Sequence, residues 1–128
     1  MNEPYWLARD ECLMLHDMML SHYGGIAGLR DENLLESALA KPQQLFHYGN
    51  PTMADLGASY AAGIVKNHPF LDGNKRTGFM MAAGFLERNG FEFNATEAEV
   101  VIRTLALAAG EMTESAYAEW LKSNSRRV

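Results

Sequence analysis

The sequence predicts an all-α fold, a bundle of about six helices packed around a buried central helix. Three observations carry this. Apolar residues recur at three- and four-residue spacing in segment after segment, with short turn-rich breaks between them. Good helix caps stand where those segments begin: Asp31, Thr52, Thr96 and Thr113. The stretch Thr77 to Leu86 contains no charge, and a helix that is apolar on nearly every side is a buried one.

The first helix is expected from about Leu7 to His22, with Cys12, Leu15, Met18 and Met19 as its inner stripe; Gly24-Gly25 ends it. Asp31 opens a short helix carrying Leu34, Leu35, Ala38 and Leu39, which Pro42 should close. Gln43 to Pro51 then reads as a connector. Thr52-Met53-Ala54-Asp55 is a capping box, so a third helix should start near Met53. Its inner face is Leu56, Tyr60, Gly63 and Ile64, and it should stop near Asn67 because Pro69 restricts His68. The buried helix follows from about Asn74 to Asn89, with Phe79, Met80, Ala83 and Leu86 as core candidates. Phe91-Glu92-Phe93 is an extended segment. A fifth helix, opened by Thr96 and ended by Gly110, should turn Val101, Leu105 and Ala108 inward. A sixth follows Thr113 with Tyr117, Trp120 and Leu121 inside, and Ser123 to Val128 should fray.

At 128 residues the chain is expected to form one domain, residues 1–128. A net charge of −5 argues against a general nucleic-acid binder. The lone Cys12 excludes an internal disulfide and fits a reducing compartment. No signal peptide and no membrane-spanning run are evident, so the expected setting is the cytoplasm, with no membrane partner.

The chemistry concentrates in His68-Pro69-Phe70-Leu71-Asp72-Gly73-Asn74-Lys75-Arg76. Gly73-Asn74 is a tight turn whose N–H groups can nest an anion at a helix N-terminus. Lys75 and Arg76 fall in the first turn of that helix, where cations oppose the dipole by about 0.3–1 kcal/mol each. A bound polyphosphate removes the conflict; two merely solvated cations leave it standing. Asp72 suits Mg²⁺, which takes one or two carboxylates alongside phosphate oxygens, or else it is a plain helix N-cap. His68 alone would be a structural histidine. In this company it is a general base for a hydroxyl. Phe70 anchors the loop in the core. No Walker loop and no Gly-x-Gly-x-x-Gly is present, so a nucleotide site here is of another kind. His16 and His22 read as partly buried or surface residues. Arg30-Asp31 is a loop-to-helix junction, with Asp31 as the cap and Arg30 a candidate to face the phosphates that no motif in the sequence fixes.

His68 to Arg76 resembles the signature of the Fic/Doc family, His-x-Phe-x-Asp/Glu-Gly/Ala-Asn-x-Arg. Gly24-Gly25, Gly28-Leu29-Arg30-Asp31 and Leu34-Leu35-Glu36-Ser37-Ala38 resemble the N-terminal half of its Doc branch, the death-on-curing toxins. Enzymes of the Fic branch that transfer AMP carry Gly where Lys75 stands and Arg where Phe79 stands. The Asn74-Lys75-Arg76 form is that of the Doc branch. The resemblance implies a kinase that moves the γ-phosphate of ATP to a threonine of elongation factor Tu and halts translation. It implies His68, Asp72, Lys75 and Arg76 as the catalytic set, Gly73, Asn74, Lys75 and Arg76 as the phosphate-binding set, and Asp72 as the Mg²⁺ ligand. AMP transfer is the alternative within enzymes, and a catalytically idle nucleotide- or antitoxin-binding module the alternative outside them. The family's inhibitory Ser/Thr-x-x-x-Glu-Gly/Asn helix is not matched, since Trp120 follows Ser115…Glu119. Restraint is therefore expected from a cognate antitoxin whose C-terminal segment folds as a helix in a groove.

Overall fold

A computed structural model describes residues 2–128. It is all-α, with six helices: α1 (Arg9–Tyr23), α2 (Glu32–Tyr48), α3 (Met53–Asn67), α4 (Asn74–Arg88), α5 (Glu97–Ala109) and α6 (Glu114–Ser123). Two short strands, β1 (Phe91–Phe93) and β2 (Ser125–Arg127), pair antiparallel. Thr52, Thr96 and Thr113 each accept the N–H of the third residue onward, and Asp31 accepts that of Leu34. Among the described residues no helix is long and apolar enough to cross a membrane.

The central helix is α3 rather than α4. Every residue from Leu56 to Val65 is buried, and α3 packs on α2, α4, α5 and α6. Its small residues permit this. A Cβ on Gly63 would meet the Ala38 backbone of α2 at 3.1 Å, and one on Gly78 of α4 would meet the Ala61 carbonyl at 3.1 Å. In α4 the core side is Gly78, Met81, Ala82, Phe85 and Leu86; Phe79, Met80 and Ala83 are only half-buried. Lack of charge therefore marked two faces of α4, of which one is core.

One core cluster lies between α3, α4, α5 and α6, around Tyr117, Trp120 and Leu121. The other lies between the N-terminal segment, α1, α2, α3 and α4, around Tyr60, Phe70 and Phe85. Tyr60 ties that side together, because its hydroxyl accepts the Leu7 N–H (3.0 Å) and donates to the Leu7 carbonyl (3.1 Å).

Three further expectations are corrected. Helix α2 runs through Pro42 to Tyr48 instead of stopping there, so most of Gln43 to Pro51 is helical. Pro42 is itself buried and Leu45 and Phe46 pack against the core, a tertiary gain that outweighs the missing N–H. Val101 and Leu105 are 43% and 48% exposed; Thr104 and Leu107 are the buried residues of α5. The tail is not frayed. Ser125–Arg127 pairs with β1, the Val128 N–H donates to the Gly90 carbonyl at 2.9 Å, and Arg127 covers the Phe91 ring.

Candidate functional site

The nine-residue stretch forms the junction between the C-terminus of α3 and the N-terminus of α4. His68 caps α3 in the left-handed conformation (φ 51°, ψ 55°), donating its N–H to the Ile64 carbonyl at 3.1 Å. Among the described residues it alone has positive φ without being glycine, a strain that persists only where the surroundings impose it. Its side chain is exposed to solvent.

Phe70 is buried and anchors the loop, as its apolar character predicts. Its ring stacks on His16 of α1 at 3.8 Å and 8°. His16, expected to be partly buried or at the surface, is 3% exposed, and its Nε2 donates to the Asp72 carbonyl at 2.8 Å. Asn74 is also buried. Its Oδ1 accepts the Phe70 N–H and its Nδ2 donates to the Phe70 carbonyl, both at 3.0 Å. This bracket fixes the amide's orientation, and Nδ2 also faces His68 Nδ1 at 3.4 Å. Since an amide NH₂ only donates, Nδ1 is the acceptor and the neutral ring carries its proton on Nε2. The Asn74 side chain is thus occupied by the loop, and what it offers an anion is its backbone N–H.

Asp72 is exposed and is not the N-cap of α4, which is Gly73. Its Oδ1 accepts the Gly73 N–H at 2.8 Å and its Oδ2 accepts the Ile26 N–H at 3.1 Å, which joins the Gly24–Gly28 loop to the motif. Each oxygen keeps a lone pair for a further partner. Among the described residues no three or more His, Cys, Asp or Glu gather as a metal cage. A lone carboxylate with lone pairs to spare is the kind of protein ligand Mg²⁺ takes beside phosphate and water.

Helix α4 begins with no side-chain cap and no acidic residue in its first turn. The other five helices each carry Asp or Glu there. Here the exposed side chains are Lys75 and Arg76, the latter lying 4.0 Å over the Tyr23 ring. The tip of α4 concentrates positive potential from dipole, N–H groups and side chains together. In the core cluster that holds Phe70, burial pushes the Cys12 thiol up to about 12, so it offers no nucleophile at neutral pH.

Arg30 does not reach toward this tip. Its Nε donates to the His68 carbonyl at 2.6 Å and a terminal nitrogen donates to the Asn67 carbonyl at 2.8 Å. No local pattern in the sequence signals this contact, nor that of His16.

An open groove of about 1200 Å³ leads away from Lys75 and Arg76 between α1, α4 and α5. Met18, Met80, Ala83, Val101 and Leu105 line it, among others. The residues expected in the core of α4 and α5 are thus partly its walls.

A profile described as the Fic/DOC family matches residues 6–86. The chain is 32% identical over 118 residues to the protein named Protein kinase doc of Escherichia phage P1, covering 91% of this chain and 92% of that one. It is 38% identical over 76 residues to Toxin Doc of Mycolicibacterium smegmatis, covering 57% of this chain and 58% of that one.

Proposed function

The chain belongs to the Fic/DOC family, and from that premise we propose that it is the toxin of a toxin–antitoxin module and acts as a protein kinase. The phosphate donor is ATP, and the acceptor is a threonine hydroxyl of elongation factor Tu. The observation that carries the reading is the tip of α4: two cations on an uncapped, acid-free helix N-terminus beside an exposed imidazole. That arrangement is uncomfortable unless an anion joins it. The name of the phage P1 relative and the Asn74-Lys75-Arg76 form support phosphoryl transfer over AMP transfer.

In this reading Lys75, Arg76 and the first N–H groups of α4 hold the phosphates, with Gly73 letting the backbone approach. Asp72 takes part in holding Mg²⁺, which when bound neutralises charge between the phosphates. The acceptor oxygen attacks the γ-phosphorus as the bond to the bridging oxygen breaks, and ADP leaves with that electron pair. The hydroxyl proton passes to His68. The lone pair that takes it is on Nδ1, so the acceptor hydroxyl enters on the Asn74 side of the held ring, where the 3.4 Å amide contact is long enough to give way to it. Positioning and charge neutralisation then supply most of the acceleration.

The groove suits an amphipathic helix of a cognate antitoxin. Its apolar floor would take the helix's apolar face, and its end at Lys75, Arg76 and Tyr23 would place the partner against the phosphate site.

The deciding experiment incubates the purified protein, and its His68→Ala variant, with a cell extract and ATP labelled at the γ or the α position. The expected result is a γ-labelled protein of the size of elongation factor Tu, with labelling by His68→Ala slower by roughly 10²–10⁴. Label from α-labelled ATP would overturn kinase in favour of AMP transfer. No label from either, with toxicity kept in His68→Ala, would leave an idle binding module.

A further inference from the structure

We infer that Arg30 is a positioning residue of the transfer site, a clamp that sets where the His68 imidazole stands; the inference rests on the transfer reading above. Three consecutive carbonyls, those of Asn67, His68 and Pro69, mark the end of α3 and the start of the motif. All three are taken by one short segment. The Arg30 side chain donates to Asn67 and His68 at 2.8 and 2.6 Å, and the Arg30 and Asp31 backbone N–H groups donate to Pro69 at 2.6 and 3.1 Å. Asp31 is at the same time the N-cap of α2, so the exposed Arg30 clamp is mounted at a helix start.

Two consequences follow for the neighbouring chemistry. The first is geometric. His68 sits in the left-handed backbone conformation, which a residue with a side chain keeps only where its surroundings impose it, and the bonds on its own carbonyl and on the one before it hold that conformation. From this backbone the ring meets Asn74, and so its tautomer is set. The second is electrostatic. The carbonyl end of α3 carries the negative pole of its dipole and lies beside the site proposed for a triphosphate. A guanidinium on those carbonyls offsets that pole. Two of its five N–H donors go to backbone carbonyls, which ties the side chain to the loop it supports.

The forked geometry matters more than the charge. Guanidinium reaches two carbonyls at once, whereas an ammonium is a point charge on a flexible stem. Arg30→Lys therefore keeps the charge and loses the clamp.

The test measures wild type and Arg30→Lys by melting temperature, by kcat and KM for ATP, and by long-range proton–nitrogen NMR of the histidine rings. Wild type should show His68 protonated on Nε2. In Arg30→Lys that signal should move toward a mixture of tautomers while the His16 signals stay. The kcat should fall by roughly tenfold to a hundredfold, with KM for ATP within about twofold and the melting temperature within a few degrees. Unchanged kcat and an unchanged His68 spectrum would overturn the inference. So would a rise in KM with kcat kept, which would make Arg30 a phosphate ligand. A large drop in melting temperature with all histidine signals displaced would make it merely structural. If wild type transfers no phosphate, the transfer reading fails by itself, and the His68 ring spectrum still decides whether Arg30 sets the imidazole.

Discussion

Gly73 and Gly110 have nearly the same backbone, φ 79° and ψ 17° against φ 78° and ψ 10°, in very different surroundings. A Cβ on Gly110 meets nothing within 4 Å; one on Gly73 would meet Met19 Cε at 1.9 Å. Met19 is 2% exposed, so its terminal methyl must shift among packed neighbours to make room. Gly110→Ala should therefore lose only the backbone term, about 1–2 kcal/mol. Gly73→Ala should add a packing penalty of about 1–3 kcal/mol and lift the loop that carries Asp72. Thermal unfolding of the two variants side by side checks this, with equal losses counting against the close packing of the loop on α1. At this scale the local part of the site was legible in the chain. Nine contiguous residues bring their chemistry together wherever the fold puts them. The supports were not legible: His16 reaches the Asp72 carbonyl across 56 positions and Arg30 reaches His68 across 38. Nothing in residue type or spacing marks contacts that only the packing of α1 and the α2 entry creates.

Elements show the same division. Helix starts were legible because a cap acts on the residue three ahead, as Thr52, Thr96 and Thr113 do. The end of α2 was not, because burial of Pro42 and the residues beyond it decides against local propensity. In α5 the periodicity gives an apolar stripe on each of two sides, and only the packing tells which one is core. Thr104 is 4% exposed and bonds Tyr117 across the bundle at 2.8 Å, while Val101, Ile102 and Leu105 stay open to solvent. Open apolar residues on a helix face are a docking surface more often than an accident when they sit together. Leu105→Glu should accordingly leave the melting temperature of the isolated protein within a few degrees. In a binding titration with the antitoxin proposed above it should weaken affinity by roughly tenfold or more, the loss expected when a charge is buried in an apolar contact. Unaltered affinity would move the partner off this groove.

On the scale of the whole molecule, the two core clusters share α3 and α4, and each hides a group that resists ionisation. In the cluster under the motif, burial pushes the Cys12 thiol and the Tyr60 phenol up to about 12 each, Tyr60 being held back only in part by its bond to Leu7. In the cluster against α6, burial pushes Tyr117 up to about 12 as well, with its Thr104 bond working the other way. In an unfolded chain a thiol releases its proton near ~8.5 and a phenol near ~10. The folded state thus binds more protons than the unfolded one between those values and about 12, and stability falls with rising pH across that window. The contribution is whole below the unfolded values and is lost as pH climbs through the folded ones. Because the clusters join through shared helices, neither half should loosen alone. Helix signal by circular dichroism should drop in one step on raising pH through this range, together with the late tyrosinate absorbance of Tyr60 and Tyr117. A Tyr117→Phe variant keeps the ring and removes one of the three protons, so its loss of stability with pH should be shallower than that of wild type. Two separated steps, or an identical pH profile in that variant, would mean that the clusters unfold independently or that burial of Tyr117 does not govern the alkaline limit.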